Sequence, residues 1–196
     1  MNKIGIALIV LLAVSSCKKQ NAIFVSGKIL NPIDKEVLVY DRFLLKSDTI
    51  PVNPDGTFSK SVSVTDEHLG LLKHGNFYIP VNLKPGSTIN ADFNTEDVKN
   101  SDWTKVTFSG KGSEASAFLS YLTTLINGAV HDSCYDLKPY IFQSFAENDY
   151  KRIEDRLEDF QAVYPKEALF IEKMKFMLLA ARTKIGRASW RVKVLI

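Results

Sequence analysis

Cysteine is scarce in this chain. Cys17 and Cys134 are the two thiols among 196 residues, so neither a disulfide framework nor a four-cysteine zinc site can be assembled. Histidine is nearly as rare: His68 and His74 have no carboxylate or thiolate at ligand spacing and read as surface loop histidines flanking one hairpin, not as a metal site. The sequence contains no phosphate-binding glycine loop, nucleophile elbow or zinc-protease helix. Asp48, Asp55, Asp92, Asp97 and Asp102 fit turns and loop ends, where short acidic side chains accept backbone donors, and lack the spacing of a calcium loop. Nothing implies a cofactor. No apolar run reaches the roughly 20 residues that a membrane-spanning helix needs. A dominant charge is missing as well. The net charge is +3, and the basic residues Lys184, Arg187, Arg191 and Lys193 crowd the C-terminus without an acid among them, so the body of the chain gives nucleic-acid binding no support.

What is present begins with Met1-Asn2-Lys3 and the apolar run Ile4 to Val14, a cationic start and a short hydrophobic segment of secretory type. The run ends in Leu12-Ala13-Val14-Ser15-Ser16-Cys17. This resembles a bacterial lipoprotein signal, which implies removal of residues 1–16 and acylation of Cys17. Residues 17–21 would then form a lipidated tether, with Lys18 to Asn21 reaching about 14 Å when extended. The resemblance implies attachment to membrane through the N-terminal lipid, in the cell envelope at the periplasmic face of the outer membrane.

From Ala22 apolar residues recur at every second position between turn signals. Ile23, Val25, Gly27 and Ile29 share one side, Val37 and Val39 continue the pattern, and Ser47 to Val52 is a further extended stretch. Asn53-Pro54-Asp55-Gly56 is a turn, after which Phe58, Val62 and Val64 face opposite Ser59, Ser61 and Ser63. Lys60 falls on the apolar side and breaks the pattern. Phe77, Ile79, Val81 and Leu83 alternate cleanly, with Pro80 marking an edge strand or a bulge because it donates no ladder bond. Lys84-Pro85-Gly86-Ser87 turns into Ile89, Ala91 and Phe93, and Trp103 to Phe108 reads as a last strand. Phe24, Tyr40, Phe77, Tyr78 and Trp103 read first as sandwich packing and second as a glycan-binding platform.

At Phe108-Ser109-Gly110-Lys111-Gly112-Ser113-Glu114 the period changes from two to between three and four. Two glycines permit the sharp exit from the strand, and Ser113 stands where it can cap a helix. Ala115, Phe118, Leu119, Leu122, Leu125 and Ile126 form one helical face. A weaker helix spans Leu137 to Ala146, and a stronger one spans Tyr150 to Tyr164 with Ile153, Leu157 and Phe160 inward. Pro165 opens a final helix to about Thr183. The expectation is an α+β chain: an antiparallel β-sandwich of about seven or eight strands over 22–109, then three or four helices over 110–183.

Ser26-Gly27-Lys28-Ile29, Asp48-Thr49-Ile50, Asp55-Gly56-Thr57-Phe58, Leu83-Lys84-Pro85-Gly86-Ser87 and the 108–113 pivot resemble, in their order, the N-terminal domain of unknown function of Bacteroidetes lipoproteins of the thioredoxin-like disulfide reductase family. That resemblance implies a non-catalytic N-terminal domain that positions a redox domain. The redox domain carries a Cys-X-X-Cys pair, is missing from this chain, and would pack against Phe176, Met177, Leu178 and Leu179. The chain itself, lacking paired cysteines, is not expected to be an enzyme. Cys134 reads as a packed or loop cysteine first and as a reactive thiol second. Lys184-Ile185-Gly186-Arg187-Ala188-Ser189 looks like the translation of a sequencing-library adaptor, which makes 184–196 a non-native tail; a genuine basic tail is the alternative. The competing function is an envelope module that binds a glycan or peptide.

Overall fold

Residues 21–41, 46–98, 102–129 and 139–194 are described by the computed structural model of the chain. Among these described residues eight strands build two four-stranded sheets packed face to face. The strands are β1 (Ala22–Leu30), β2 (Glu36–Asp41), β3 (Lys46–Pro51), β4 (Thr57–Ser63), β5 (His68–His74), β6 (Phe77–Leu83), β7 (Thr88–Asn94) and β8 (Thr107–Ser109). One sheet runs β4-β1-β7-β8 and the other β3-β2-β5-β6. Every pairing is antiparallel except that of β1 with β7, which is parallel. The alternating side chains explain the sandwich: Ile23, Val25 and Ile29 from β1, Phe58 and Val62 from β4, and Ile89, Ala91 and Phe93 from β7 meet Val37, Val39, Ile50, Leu72, Ile79, Val81 and Leu83 of the opposite sheet in one core. Each of these side chains other than Ala91, fully buried, contributes on the order of 1.5–3 kcal/mol.

Two glycines do specific work in this arrangement. Gly56 closes the turn between β3 and β4 with φ +82°, its N–H donating to the Asn53 carbonyl at 2.9 Å. Gly27 lies where β1 and β7 press together, and a Cβ there would stand 2.0 Å from the Ala91 carbonyl oxygen. The parallel ladder is interrupted at this point, between the pairs Ser26 with Asn90 and Ile29 with Phe93. The Lys28 N–H is satisfied instead by the Asp92 carboxylate at 2.7 Å.

The two lateral openings of the sandwich are treated differently. On one side helix α1 (Glu114–Ala129) lies along β6, the edge strand that Pro80 signals. Ser120 donates its hydroxyl to the Pro80 carbonyl at 3.0 Å, and the Asn82 N–H donates to the Ser116 hydroxyl at 3.0 Å. Serines thus satisfy the backbone groups that an edge strand would otherwise leave open. On the other side Lys60 of β4 reaches across to β3, donating to the Asp48 carboxylate at 2.9 Å and to the Thr49 carbonyl at 3.1 Å. The charge that breaks the apolar pattern of β4 is a strut between the sheets.

A second core lies among the helices. Leu119 and Leu122 of α1 meet Ile153, Leu157 and Phe160 of α2 (Pro139–Val163) and Phe170, Ile171 and Met174 of α3 (Ala168–Val194). Phe118 stacks on Phe160 with centroids 4.2 Å apart, and Phe170 meets both rings edge-on. Leu69 of β5 packs into this cluster from the sandwich. Polar joints fix the layers: Lys84 donates to both oxygens of Glu167 at 2.8 Å, and the Lys173 ammonium contacts the Glu67 carbonyl.

Four expectations are corrected in detail. Trp103–Lys105 is a 3₁₀ turn, capped by the Asp102 carboxylate accepting from the Thr104 N–H, and β8 begins at Thr107. The two helices read over 137–164 are one, because Glu147-Asn148-Asp149 contains neither glycine nor proline to break the chain. The Ser113 hydroxyl donates back to the Gly110 carbonyl at 2.9 Å instead of accepting from the helix. Finally, α3 continues as helix to Val194, beyond the end anticipated near Thr183.

Candidate functional site

Strand β5 carries a histidine at each end, and the two have different fates. His74 is buried, with 1% of its surface exposed. Its Nε2 accepts from the Ile33 N–H at 3.1 Å, which places the ring proton on Nδ1, facing the Glu36 carbonyl at 2.9 Å. Both nitrogens serve the backbone of the β1–β2 connection, so the reading of His74 as a surface loop residue is wrong. Its role is structural.

His68 stands at the opposite end of the strand, beside a cavity of about 510 Å³. Asp41, Asp48, Asp66 and His68 line it beside Val39, Val62, Val64 and Leu83, core side chains that are themselves only 1–4% exposed. His68 Nδ1 is 2.7 Å from the Asp66 carbonyl oxygen. Its Nε2 is 2.9 Å from Asp41 Oδ2, an ion-pair contact that falls outside good hydrogen-bond geometry. Both ring nitrogens thus lie beside oxygen atoms. Among the described residues no serine or threonine hydroxyl is hydrogen-bonded to either nitrogen. Lys60 neutralises Asp48. Among the described residues no ion pair joins a cation to the Asp66 carboxylate, and no group of three histidine, cysteine, aspartate or glutamate side chains is placed to hold a metal.

The chain enters the sandwich at this same end, where the Val64 N–H donates to the Asn21 carbonyl at 3.1 Å and the Gly86 N–H to that of Ala22 at 2.8 Å. Cys17, the residue read as the lipidation site, and Cys134, the candidate thiol, both lie outside the described residues. No described helix is long and apolar enough to cross a membrane.

A second feature lies on α3. Phe170, Ile171 and Met174 are buried against α1 and α2, whereas Phe176 is 72% exposed, with Met177 and Leu179 also outward and Leu178 partly covered. The named quartet therefore divides, Leu178 packing inward and the other three presenting surface. The aromatic residues build no common platform among the described residues. Phe24 is exposed on the outer face of β1, Tyr78 stands on the other sheet under the Lys73 ammonium, and Trp103 is in the core.

The pairing of Asp41 with His68 and of Lys84 with Glu167 had no local signal in the sequence, since the partners are far apart along the chain and meet through strand register and helix docking. The strand β5 itself was the missed clue. In comparisons with known proteins, no family model and no curated protein matches the chain.

Proposed function

We propose that this chain is the non-catalytic N-terminal part of a membrane-anchored, thioredoxin-like disulfide reductase lipoprotein, serving to position a redox domain in the cell envelope. The observation that carries this reading is the outward Phe176, beside Met177, on a helix whose other apolar face is already used. An aromatic side chain exposed to that degree, within an apolar neighbourhood, is surface suited to cover by a further domain. Acylation at Cys17 would hold the Asn21 end of the sandwich toward the lipid and leave the α3 face free for the redox domain. The Lys84–Glu167 and Lys173–Glu67 joints would make α3 a rigid extension of the anchored sandwich.

The test uses residues 17–196. The protein is expected to bind a hydrophobic dye, to lose most of that binding on Phe176→Ser, and to reduce no insulin disulfide. Insulin turnover would refute the non-catalytic role, and a dye-free, compact monomer would refute the docking face. Labelling with radioactive palmitate in an expressing bacterium, present in the parent and gone in Cys17→Ser, tests the anchor. A second reading, an envelope ligand-binding module, is favoured by the cavity at the Asp41–His68 end; the scattered aromatics argue against a stacked sugar as its ligand.

A further inference from the structure

We infer that β4 is a dimerisation edge: two copies of this chain pair their β4 strands antiparallel about a two-fold axis at Ser61, joining their β4-β1-β7-β8 sheets into one. This stands on strand register alone and survives if the lipoprotein reading fails. The Ile29 N–H donates to the Gly56 carbonyl at 2.9 Å, and the Val64 N–H to that of Asn21 at 3.1 Å. Both bonds belong to the register that sets Phe58 against Gly27 and Val62 against Ile23. Hydrogen-bonded pairs alternate along an antiparallel ladder, so Phe58, Lys60 and Val62 turn their N–H and C=O groups to β1, whereas Ser59, Ser61 and Ser63 turn theirs away from it. Among the described residues β4 is the outermost strand of its sheet, and the three serines are exposed.

The other sheet edges are closed. Strand β6 lies under α1, whose Ser116 and Ser120 meet its backbone groups, and β8 is three residues long. On β3 the bond from the Val52 N–H to the Lys35 carbonyl, at 2.9 Å, fixes the same alternation and turns Thr49 and Pro51 outward. Pro51 has no N–H, and Lys60 occupies the Thr49 carbonyl. Strand β4 lacks such guards: it contains no proline, and its single charge, Lys60, is committed to Asp48. A second copy fits because the strand is self-complementary about Ser61. Ser61 lies opposite its own copy and Ser59 opposite Ser63 of the second chain, an isologous seam of roughly six hydrogen bonds. Charge selects the register. An axis at Lys60 would set two ammonium side chains directly opposite each other, whereas the axis at Ser61 sets Lys60 against Val62. An axis at Ser59 would call on Thr57, whose carbonyl already accepts from the Asn53 N–H at 2.8 Å.

The experiment is sedimentation equilibrium of the full chain over a wide concentration range. A monomer–dimer equilibrium is expected, weakened at least roughly tenfold by Ser61→Pro, which removes one edge donor from each copy. Proline is tolerated where its missing N–H faces outward, and circular dichroism checks that the fold is kept. Ser61→Lys is the second variant: like charges opposite each other should weaken the dimer more at low salt than at high. Phe176→Ser should dimerise as the parent does, which separates this edge from the α3 face. Cross-linking reads the register. In a chain carrying Cys17→Ser and Cys134→Ser, mild oxidation should join copies of Ser61→Cys, about 5.5 Å apart at Cα. It should not join copies of Ser59→Cys, on the order of 14 Å apart. A monomer at every concentration, a dimer indifferent to both Ser61 variants, a dimer lost on Phe176→Ser, or equal cross-linking at the two positions would each overturn the inference. So would a protein that stays monomeric while a synthetic Val-Thr hexapeptide shifts the Ser59, Ser61 and Ser63 amides, because the edge would then belong to a foreign strand.

Discussion

Replacing Gly27 with alanine adds one methyl group at the tightest point of the molecule. The new Cβ would lie 2.0 Å from the Ala91 carbonyl oxygen, 2.8 Å from its carbon and 2.7 Å from Phe58 Cζ. The backbone angles of Gly27 are not in the left-handed region, so alanine brings no conformational strain of its own and the cost is steric. Neither neighbour can yield. Ala91 is fully buried and Phe58 is 2% exposed, and the carbonyl belongs to a strand held by β1 on one side and β8 on the other. Relieving the overlap requires β7 to move by more than an ångström from β1, which breaks ladder bonds as well as core packing; the expected loss is about 3 kcal/mol. With a urea m-value of about 2 kcal/mol/M for a domain of this size, the unfolding midpoint should fall by about 1.5 M. Gly70→Ala is the control. There the nearest atoms are Leu83 Cδ1 at 2.5 Å and Cγ at 2.9 Å, part of a side chain that can change rotamer, so the loss should be about 1 kcal/mol. A Gly27→Ala midpoint within error of the parent, or a larger loss at Gly70 than at Gly27, would show that the β1–β7 contact is not the rigid approach described.

Lys84→Met strips the Glu167 carboxylate, which is 9% exposed, of its ammonium. Because the lysine is itself 29% exposed, the loss should be about 2 kcal/mol, with faster amide exchange in α3 and with most of the loss recovered in the double variant Lys84→Met/Glu167→Leu. His74→Leu abandons the Ile33 N–H and the Glu36 carbonyl together and should cost about 2–4 kcal/mol by chemical denaturation; a neutral result would mean that water replaces the ring. The Thr57 hydroxyl, followed by the Thr57 N–H, lowers the Asp55 carboxyl below its ordinary 3.8. The associated stability is therefore present above that value and lost as pH falls through the folded-state value, and Asp55→Asn should flatten this acid limb; an NMR midpoint for Asp55 at or above 3.8 would contradict it. Burial, reinforced by Glu147 and opposed by Arg182, raises the Tyr150 phenol above 10.0. That contribution is complete below pH 10.0 and disappears as the pH rises through the folded-state value, so Tyr150→Phe should make alkaline unfolding less steep.

Much of this architecture was legible because β1, β4, β6 and β7 each turn one apolar face to the sandwich core, and a period of two is unambiguous when the other face is polar. Strand β5 was not. Gly70 and Leu72 enter the core while Leu69 joins the helical cluster, so apolar residues occupy both faces and the alternation vanishes. The same reason hides the function of His68 and His74: a histidine's partners are set by which strands lie beside it, not by its sequence neighbours. Lys60 looked like an error in a strand until β3 was seen to stand opposite it. The concavity beside His68 was equally invisible, because its lining comes from β2, β3, β4, β5 and β6, which meet only once both sheets are formed. The exposed apolar face of α3 was partly readable, because Phe176 to Ala181 is apolar all round; packing decided that Leu178, and not Phe176, turns inward.

Strand β1 occupies an inner position of its sheet, flanked by β4 on one side and by β7 on the other. Its second border is supplied 64 residues later, when Phe24 meets Thr88. Any fragment or ribosome-bound chain ending before Asn94 therefore carries an apolar ribbon with one raw edge, primed to pair with another copy of itself. Truncation products lacking β7 should precipitate, whereas loss of α3 spares both borders of β1 and should leave the strand pairing intact while uncovering the helical core around Leu122, Leu157 and Phe160.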